Sequence, residues 1–268
     1  MGAMVAVILC AACGADTTGP TQGGPTYLRV INSVFQTGAS TVPVAIDLLV
    51  DSASSSPSVF GIVPAGTSSG DGAGGYATLG SGVHSFVARR AGDTSITASL
   101  YTTTADLPYL PKQSLFGHGY YSVVVAGVIP EIGTITNNTV PFVVILDDHF
   151  PGPTVNHVVQ ARFNVINAAP YAAASGNGAT VSVYVNPEDT FSGNIADYPP
   201  LTTARYRNVS GYINLDPGAY VVTIRAGTTT LAQQTIMFAA GEVRSLILQS
   251  TAAAAPSMAN HALMNILD

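Results

Sequence analysis

The chain has 268 residues, of which 47% are hydrophobic and only 9% are charged, and its formal net charge is −6. This length accommodates two domains of roughly 110 to 130 residues, each able to bury a core. The hydrophobic content excludes an intrinsically disordered chain, which needs the opposite balance. Because the net charge is negative and basic residues do not cluster, we predict no nucleic-acid partner.

Residues 1–13 are predicted to be an export signal. Their apolar run, residues 4–13, is too short to cross a ~30 Å hydrocarbon core as a helix. The sequence Cys-Ala-Ala-Cys-Gly at residues 10–14 resembles a bacterial lipobox, which implies a lipid on Cys13 and the membrane as a partner. An ordinary signal peptide and a buried N-terminal strand are the alternatives. Residues 14–25 lack apolar periodicity and are predicted to be a flexible tether.

Residues 26–148 are predicted to be the first β-sandwich domain. Short runs rich in Val, Ile, Thr and Tyr alternate with turns containing Gly and Pro, which is typical of strands. Seven such runs occur, at residues 27–32, 42–51, 76–79, 83–89, 95–101, 119–128 and 140–147. The scarcity of charge argues against exposed helices, and the pattern favours an antiparallel sandwich.

A linker over residues 149–160 and a second sandwich domain over residues 161–268 complete the predicted organisation. The linker is short and contains two prolines, so we expect it to be partly rigid. In the second domain, strand alternation predicts that Tyr220, Val222 and Ile224 face the core. Their counterparts in the first domain are His84, Phe86 and Ala88.

The second domain repeats motifs of the first in the same order. Arg-Val-Ile-Asn at residues 29–32 returns as Asn-Val-Ile-Asn at 164–167, and Gly-Tyr at 75–76 returns at 211–212. The remaining matches are Arg-Ala-Gly at 90–92 and 225–227, and Ile-Leu-Asp at 145–147 and 266–268. Matches in a fixed order, with one change of length between them, predict two copies of one domain.

The motifs resemble the DUF4397 family, which occurs as tandem domains in bacterial exported proteins. The resembling stretches are residues 28–32, 45–51, 75–76, 119–127 and 146–148 in the first copy, and 162–170 and 181–185 in the second. The second copy keeps Gly241 but has Glu242 and Val243 in place of Tyr120 and Tyr121. The resemblance covers residues 27–268 and carries no catalytic residues with it.

Acidic and histidine residues near strand ends raise the question of a metal site. The densest acidic set is Asp47, Asp51, Asp147 and Asp148, and two histidines, His149 and His157, lie close by in sequence. No calcium-loop motif is present, and zinc needs three or four convergent ligands. We expect the aspartates to cap turns and the linker histidines to be solvated, so no metal and no cofactor are predicted.

No nucleophile motif occurs in the chain, neither Gly-x-Ser-x-Gly nor Ser-x-x-Lys. We therefore predict no catalytic residues and a protein that is not an enzyme. The alternative is a carbohydrate-active or other hydrolase whose site lies in the insertion at residues 102–116.

Loop aromatics are the best candidates for ligand contact. The two copies differ most in the insertions at residues 102–116 and 186–207, and loops on a rigid sandwich often carry binding sites. The predicted ligand-binding residues are Tyr109, Phe116, Phe191, Tyr198 and Tyr206. In the alternative interpretation, the same rings hold the long loops against the sheets.

The sequence thus predicts an all-β protein of two tandem Ig-like antiparallel β-sandwich domains, exported to the bacterial cell envelope. The predicted role is a non-catalytic surface protein that binds a glycan or protein ligand or acts as a spacer. Besides the hydrolase, a further alternative is a structural subunit that self-assembles by strand pairing at exposed edges.

Overall fold

The protein is all-β in the part of the chain that the computed structural model describes, which confirms the predicted class. No α-helix occurs there, and no helix is long and apolar enough to cross a membrane. The described residues are 23–37, 42–51, 58–63, 67–68, 75–91, 113–130, 142–147, 154–155, 158–169, 180–206, 208–250 and 258–267.

The strands up to residue 147 form the first unit. They are β1 (Pro25–Thr37), β2 (Val42–Pro43), β3 (Ile46–Val50), β4 (Ser58–Val63), β5 (Thr67–Ser68), β6 (Ala77–Gly80), β7 (Gly82–His84), β8 (Phe86–Arg90), β9 (Gln113–Leu115), β10 (Tyr120–Pro130) and β11 (Phe142–Asp147). Sheet 1A has the order β11-β10-β1-β2, with β5 and β6 also paired to β1. Sheet 1B has the order β4-β3-β8, and β7 pairs with β9.

The second unit follows a short hairpin of β12 (Thr154–Val155) and β13 (Val158–Val159). Its strands are β14 (Ala161–Ala168), β15 (Val181–Pro187), β16 (Thr202–Ala204), β17 (Ile213–Leu215), β18 (Gly218–Ala226), β19 (Thr229–Phe238), β20 (Val243–Ser250) and β21 (His261–Leu267). Sheet 2A has the order β17-β14-β20-β21, and sheet 2B has the order β16-β15-β18-β19. Single 3₁₀ turns lie at Glu188–Thr190, Ile195–Asp197 and Met258–Asn260.

Among the described strands, one pair in each unit is parallel, so the prediction of antiparallel sandwiches does not hold at these two places. β1 runs parallel to β10, and β14 runs parallel to β20. The prediction rested on tight turns between consecutive strands, and such turns make only antiparallel neighbours. These partners are distant in the chain, and parallel neighbours need a long crossover. The Ig-like topology stays a prediction.

Each unit has its own core between its two sheets. In the first unit Leu28 and Val30 of β1 face Leu48 of β3, and all three are fully buried. In the second unit Phe163 packs against Phe238 with ring centroids 5.5 Å apart. The expected core positions Phe86, Ala88, Val222 and Ile224 are buried, whereas Tyr220 lies at the core margin and His84 outside it.

A third buried cluster joins the two units and is called the inter-unit cluster here. It contains Ile31, Val124, Ala126 and Leu146 from sheet 1A and Ile166, Ala168 and Ile247 from sheet 2A. Alternate side chains of a strand point to opposite faces of the sheet. In β1 and in β14, one set of side chains therefore packs in the core of its own unit, and the other set packs in the inter-unit cluster. Sheets buried on both faces explain why these strands are almost continuously apolar in sequence.

The strand pairing follows one scheme in both units. Arg29 pairs with Ser122 in the first, and Asn164 pairs with Ser245 in the second. The repeated Ile-Leu-Asp motif, however, is displaced by one residue, because Leu146 pairs with Ser122 whereas Ile266 pairs with Ser245.

Candidate ligand-binding face

The predicted loop aromatics of the first unit lie only in part within the described residues. Tyr109 falls outside them, as does Cys13, the predicted lipidation site. Phe116 is half-buried directly after β9, where its carbonyl accepts a hydrogen bond from Thr26 Oγ1 at 2.9 Å. Its N–H donates to the hydroxyl of Tyr121 at 3.2 Å. These contacts place Phe116 in a turn held against β1.

Phe191 and Tyr198 pack against each other in the second insertion, with ring centroids 5.8 Å apart. The Tyr198 hydroxyl donates to the carbonyl of Thr190 at 2.9 Å and accepts from the N–H of Ser192 at 3.2 Å. These contacts lie within the insertion itself.

Tyr206 lies elsewhere, packed against the inter-unit cluster. Phe116, the Phe191–Tyr198 pair and Tyr206 therefore have different neighbours in these contacts. Ligand contact by the loop aromatics stays a prediction.

The aspartates with described side chains serve structural roles. Asp47 is buried, 3.5 Å from Arg89 Nε. Asp51 accepts hydrogen bonds from the Ser85 N–H at 3.0 Å and from His84 Nδ1 at 2.8 Å. Burial raises the pKa of Asp51, but these hydrogen bonds and the charge of His84 outweigh it and hold the pKa below its usual value.

The side chains of the other residues considered for a metal site are not described. Asp147 ends β11, and Asp148, His149 and His157 lie outside the described residues. Within the described ranges, no group of three or more His, Cys, Asp or Glu residues could hold a metal ion.

Three tyrosines of the first unit form an aromatic cluster that was not among the predicted ligand-binding residues. Tyr27 and Tyr120 stack with ring centroids 4.5 Å apart and planes 19° apart. Tyr76 meets Tyr120 edge-on at 5.2 Å. All three are half-buried. We call these residues and Arg29 the tyrosine face.

Arg29 is the buried member of the tyrosine face. Its guanidinium lies 5.0 Å from the ring centroid of Tyr76, and the residue is only 5% exposed. Nε donates to Ser122 Oγ at 2.6 Å, and Nη1 donates to the carbonyl of Leu267 at 2.8 Å. A buried guanidinium needs such partners, and here they tie the two units together beneath the rings.

The tyrosine face continues the inter-unit surface of sheet 1A. Tyr27, Arg29 and Ile31 alternate along β1 and therefore share one side of the sheet. Ile31 is buried in the inter-unit cluster, whereas the three tyrosines are half-buried. Leu267 at the end of β21 is 53% exposed and borders the face.

The second unit lacks the stack at the equivalent positions. There the strand register puts Arg162 in place of Tyr27. It puts Val243 in place of Tyr120, which corrects by one residue the sequence comparison that puts Glu242 there. Tyr212 corresponds to Tyr76, and the Arg162 guanidinium lies 4.9 Å from its ring centroid. A cation–π contact thus occurs in both units, but the stacked pair occurs in the first.

One sequence signal pointed to the face. In the pair Tyr120-Tyr121, alternation requires one ring to face the core and the other to face away. Tyr121 joins the core, which leaves Tyr120 on the outer side. The partner Tyr27 has no such signal, because its place beside Tyr120 depends on the parallel pairing.

Comparison with known proteins gives little more. No family model matches the chain, and no curated protein matches it. Among solved structures, the Bacillus anthracis TIE protein is 10% identical with a TM-score of 0.23, over 84% of this chain and 34% of that one.

Two further solved structures come from Bacteroides. A leucine-rich repeat protein from Bacteroides thetaiotaomicron VPI-5482 is 10% identical with a TM-score of 0.19, over 82% of this chain and 25% of that one. A candidate cell adhesion protein from Bacteroides eggerthii DSM 20697 is 7% identical with a TM-score of 0.24, over 92% and 96%. The chain spans about a third and a quarter of the first two structures. Scores this low carry no argument about function.

Proposed function

We propose that the protein is a non-catalytic surface module of the bacterial cell envelope, in which two sandwich units act as one rigid body. Such a body serves as a spacer that holds a ligand-binding face away from the membrane, with a glycan or a protein as the ligand. The inter-unit cluster is the observation that carries this proposal, because it makes the junction a buried apolar contact between sheets.

The chemistry of the junction supports rigidity. Ile31, Val124, Ile166 and Ile247 are fully buried there, and burying one large aliphatic side chain contributes about 1.5 to 3 kcal/mol. Gln249 Nε2 also donates to Ser33 Oγ at 2.6 Å across the junction. Domains joined by a small polar contact move relative to each other by default, whereas a hydrophobic contact opposes that motion.

Membership of the DUF4397 family and lipid anchoring at Cys13 belong to the same proposal. The shared pairing scheme of the two units supports a tandem origin. If the anchor exists, expression in a bacterial host will yield a protein whose N-terminal peptide carries the mass of acyl chains. Mass spectrometry of wild type and Cys13→Ser tests this, and an unmodified wild-type peptide contradicts it.

Thermal unfolding tests the rigid body. We expect one cooperative transition for the full chain, because the two cores share a buried junction. Ile247→Asp places a carboxylate in the inter-unit cluster and should separate the transition into two steps. Thr235→Asp, at an exposed position of β19, is the matched control and should change little. Two independent transitions in the wild type would contradict the proposal.

A further inference from the structure

The side chain of His84 links the two sheets of the first unit at one end of the sandwich. This side chain is 11% exposed. Its Nδ1 lies 2.8 Å from the carboxylate of Asp51, which follows β3 of sheet 1B. Its Nε2 lies 2.8 Å from the carbonyl oxygen of Gly80, which ends β6, a strand paired with β1 of sheet 1A. We call these three residues the histidine bridge.

Both partners of the imidazole ring are hydrogen-bond acceptors. The carbonyl of Gly80 has no hydrogen to donate. The Asp51 carboxyl is ionised near neutral pH, because its hydrogen bonds outweigh its burial and hold its pKa below the usual value. A neutral imidazole has one N–H and satisfies one of these two acceptors, whereas the protonated ring has an N–H at each nitrogen. The complete bridge therefore requires the cationic form of His84.

The second unit makes the equivalent bond with a phenol. Tyr220 is the counterpart of His84, and the strand register puts Asp216 in place of Gly80. The Tyr220 hydroxyl donates to the carbonyl of Asp216 at 2.9 Å. A free phenol keeps its hydrogen up to about pH 10, whereas a free imidazole loses one near pH 6.5. The position thus holds a donor in both units, and the donor of the first unit is the one that titrates near neutrality.

We propose that the histidine bridge is a pH-dependent contact between the two sheets of the first unit, complete while His84 carries a hydrogen on both ring nitrogens and broken on one side when it loses one. Hydrogen bonds made by the charged form of a group favour that form. The contribution of His84 to stability is therefore present below about pH 6.5, the value of a free imidazole, and is lost as pH rises above that range. This inference does not rest on the proposed function.

The neighbours of the ring come from three other strands. Asp51 follows β3, Gly80 ends β6, and β9 places Gln113 opposite His84 in the strand pair. Among the described residues, Asp51 is the titratable group in contact with the ring. Lys112, which precedes Gln113, lies outside the described residues. The need for two N–H groups comes from the acceptors bonded to the ring and is independent of charges farther away.

Urea unfolding of the full chain at about pH 5.5 and about pH 8 tests the proposal, because an imidazole titrates between these values and a carboxylate or phenol does not. We expect the unfolding equilibrium constant of the wild type to rise with pH. His84→Tyr gives the first unit the donor of the second and should show a rise about tenfold smaller. The other four histidines contribute equally to both proteins.

Two further variants complete the test. His118→Asn is the matched control, since His118 is an exposed histidine of the same unit and asparagine tolerates its positive φ of 62°. This variant should keep the full rise. Asp51→Asn removes the carboxylate that favours the cationic ring, so its rise should be smaller than that of the wild type even if His84→Tyr folds poorly. Circular dichroism checks the fold of each variant. A rise of wild-type size in the folded His84→Tyr or Asp51→Asn variants overturns the proposal.

Discussion

The two units share one arrangement of strands and differ in the side chains at the ends of the central strands. Both have a parallel central pair, β1 with β10 and β14 with β20, and both bury one face in their own core and the other at the junction. At the end of the central strands the first unit has a stacked tyrosine pair, whereas the second has Arg162 and Val243. The two units are alike where both faces of the sheet are buried, and they differ where one face meets solvent.

A second feature that the two units share is a buried asparagine in the central strands β1 and β14. Asn32 and Asn167 are fully buried, and each amide oxygen accepts the N–H two residues later, from Val34 at 2.9 Å and Ala169 at 3.1 Å. Each amide nitrogen donates to a carbonyl outside the strand, of Val44 at 2.8 Å and Ala204 at 3.2 Å. The repeated asparagine of the two motifs is therefore a structural residue.

The largest expected effect is in the cores. Phe163→Ala should destabilise the protein by about 3 to 5 kcal/mol, because the cavity beside Phe238 cannot close fully. Leu28→Ala is the equivalent change in the first unit and should cost about 2 to 5 kcal/mol. Urea unfolding measures both. A loss below 1 kcal/mol for either would mean that its unit is not packed as described.

The asparagines provide the next test of equivalence. Asn32→Ala and Asn167→Ala should each cost about 2 kcal/mol, because buried backbone groups lose their partners. Asn214→Ala, at an exposed strand position of β17, serves as the control and should cost little. If one of the two substitutions leaves the stability unchanged while the other lowers it, the buried asparagine does not have the same structural role in both units.

Acid should weaken the first unit preferentially. The pKa of Asp51 is lowered in the folded state, so its contribution is present above the unfolded value of about 3.9 and is lost as pH falls through the folded value. The strand register puts Asn186 at the equivalent place in the second unit. Asp51→Asn tolerates the positive φ of 56° and should flatten the acid limb of a stability–pH curve. An unchanged limb would contradict this.

Alkali should act on the second unit with the smallest effect. Burial raises the pKa of Tyr220, and the carboxylates of Asp216 and Asp189 raise it further. A raised pKa favours the neutral phenol in the folded state, so the contribution is present below pH 10 and is lost as pH rises above it. Stability of Tyr220→Phe should therefore decline less than that of wild type between pH 9 and pH 11. His84 takes this place in the first unit, so His84→Phe should not show the same change.

More of the fold than of the candidate site could be predicted from the sequence. Strand alternation correctly placed Val222 and Ile224 in the core, because a period of two depends only on local geometry. Phe191 and Tyr198 contact each other within their own loop, and ligand contact by the loop aromatics stays a prediction. Whether an aromatic side chain meets a ligand or its neighbours depends on contacts that composition does not encode.

The sequence alone determined the all-β class, the order of the repeated motifs and the burial of Phe86, Ala88, Val222 and Ile224. These are properties of neighbouring residues. The tertiary structure alone decided that Arg29 meets Ser122, 93 residues away, and that its guanidinium also reaches Leu267 of the second unit. Parallel pairing and the packing of one sheet on another have no local signature, because each depends on surfaces that are assembled only when distant strands come together.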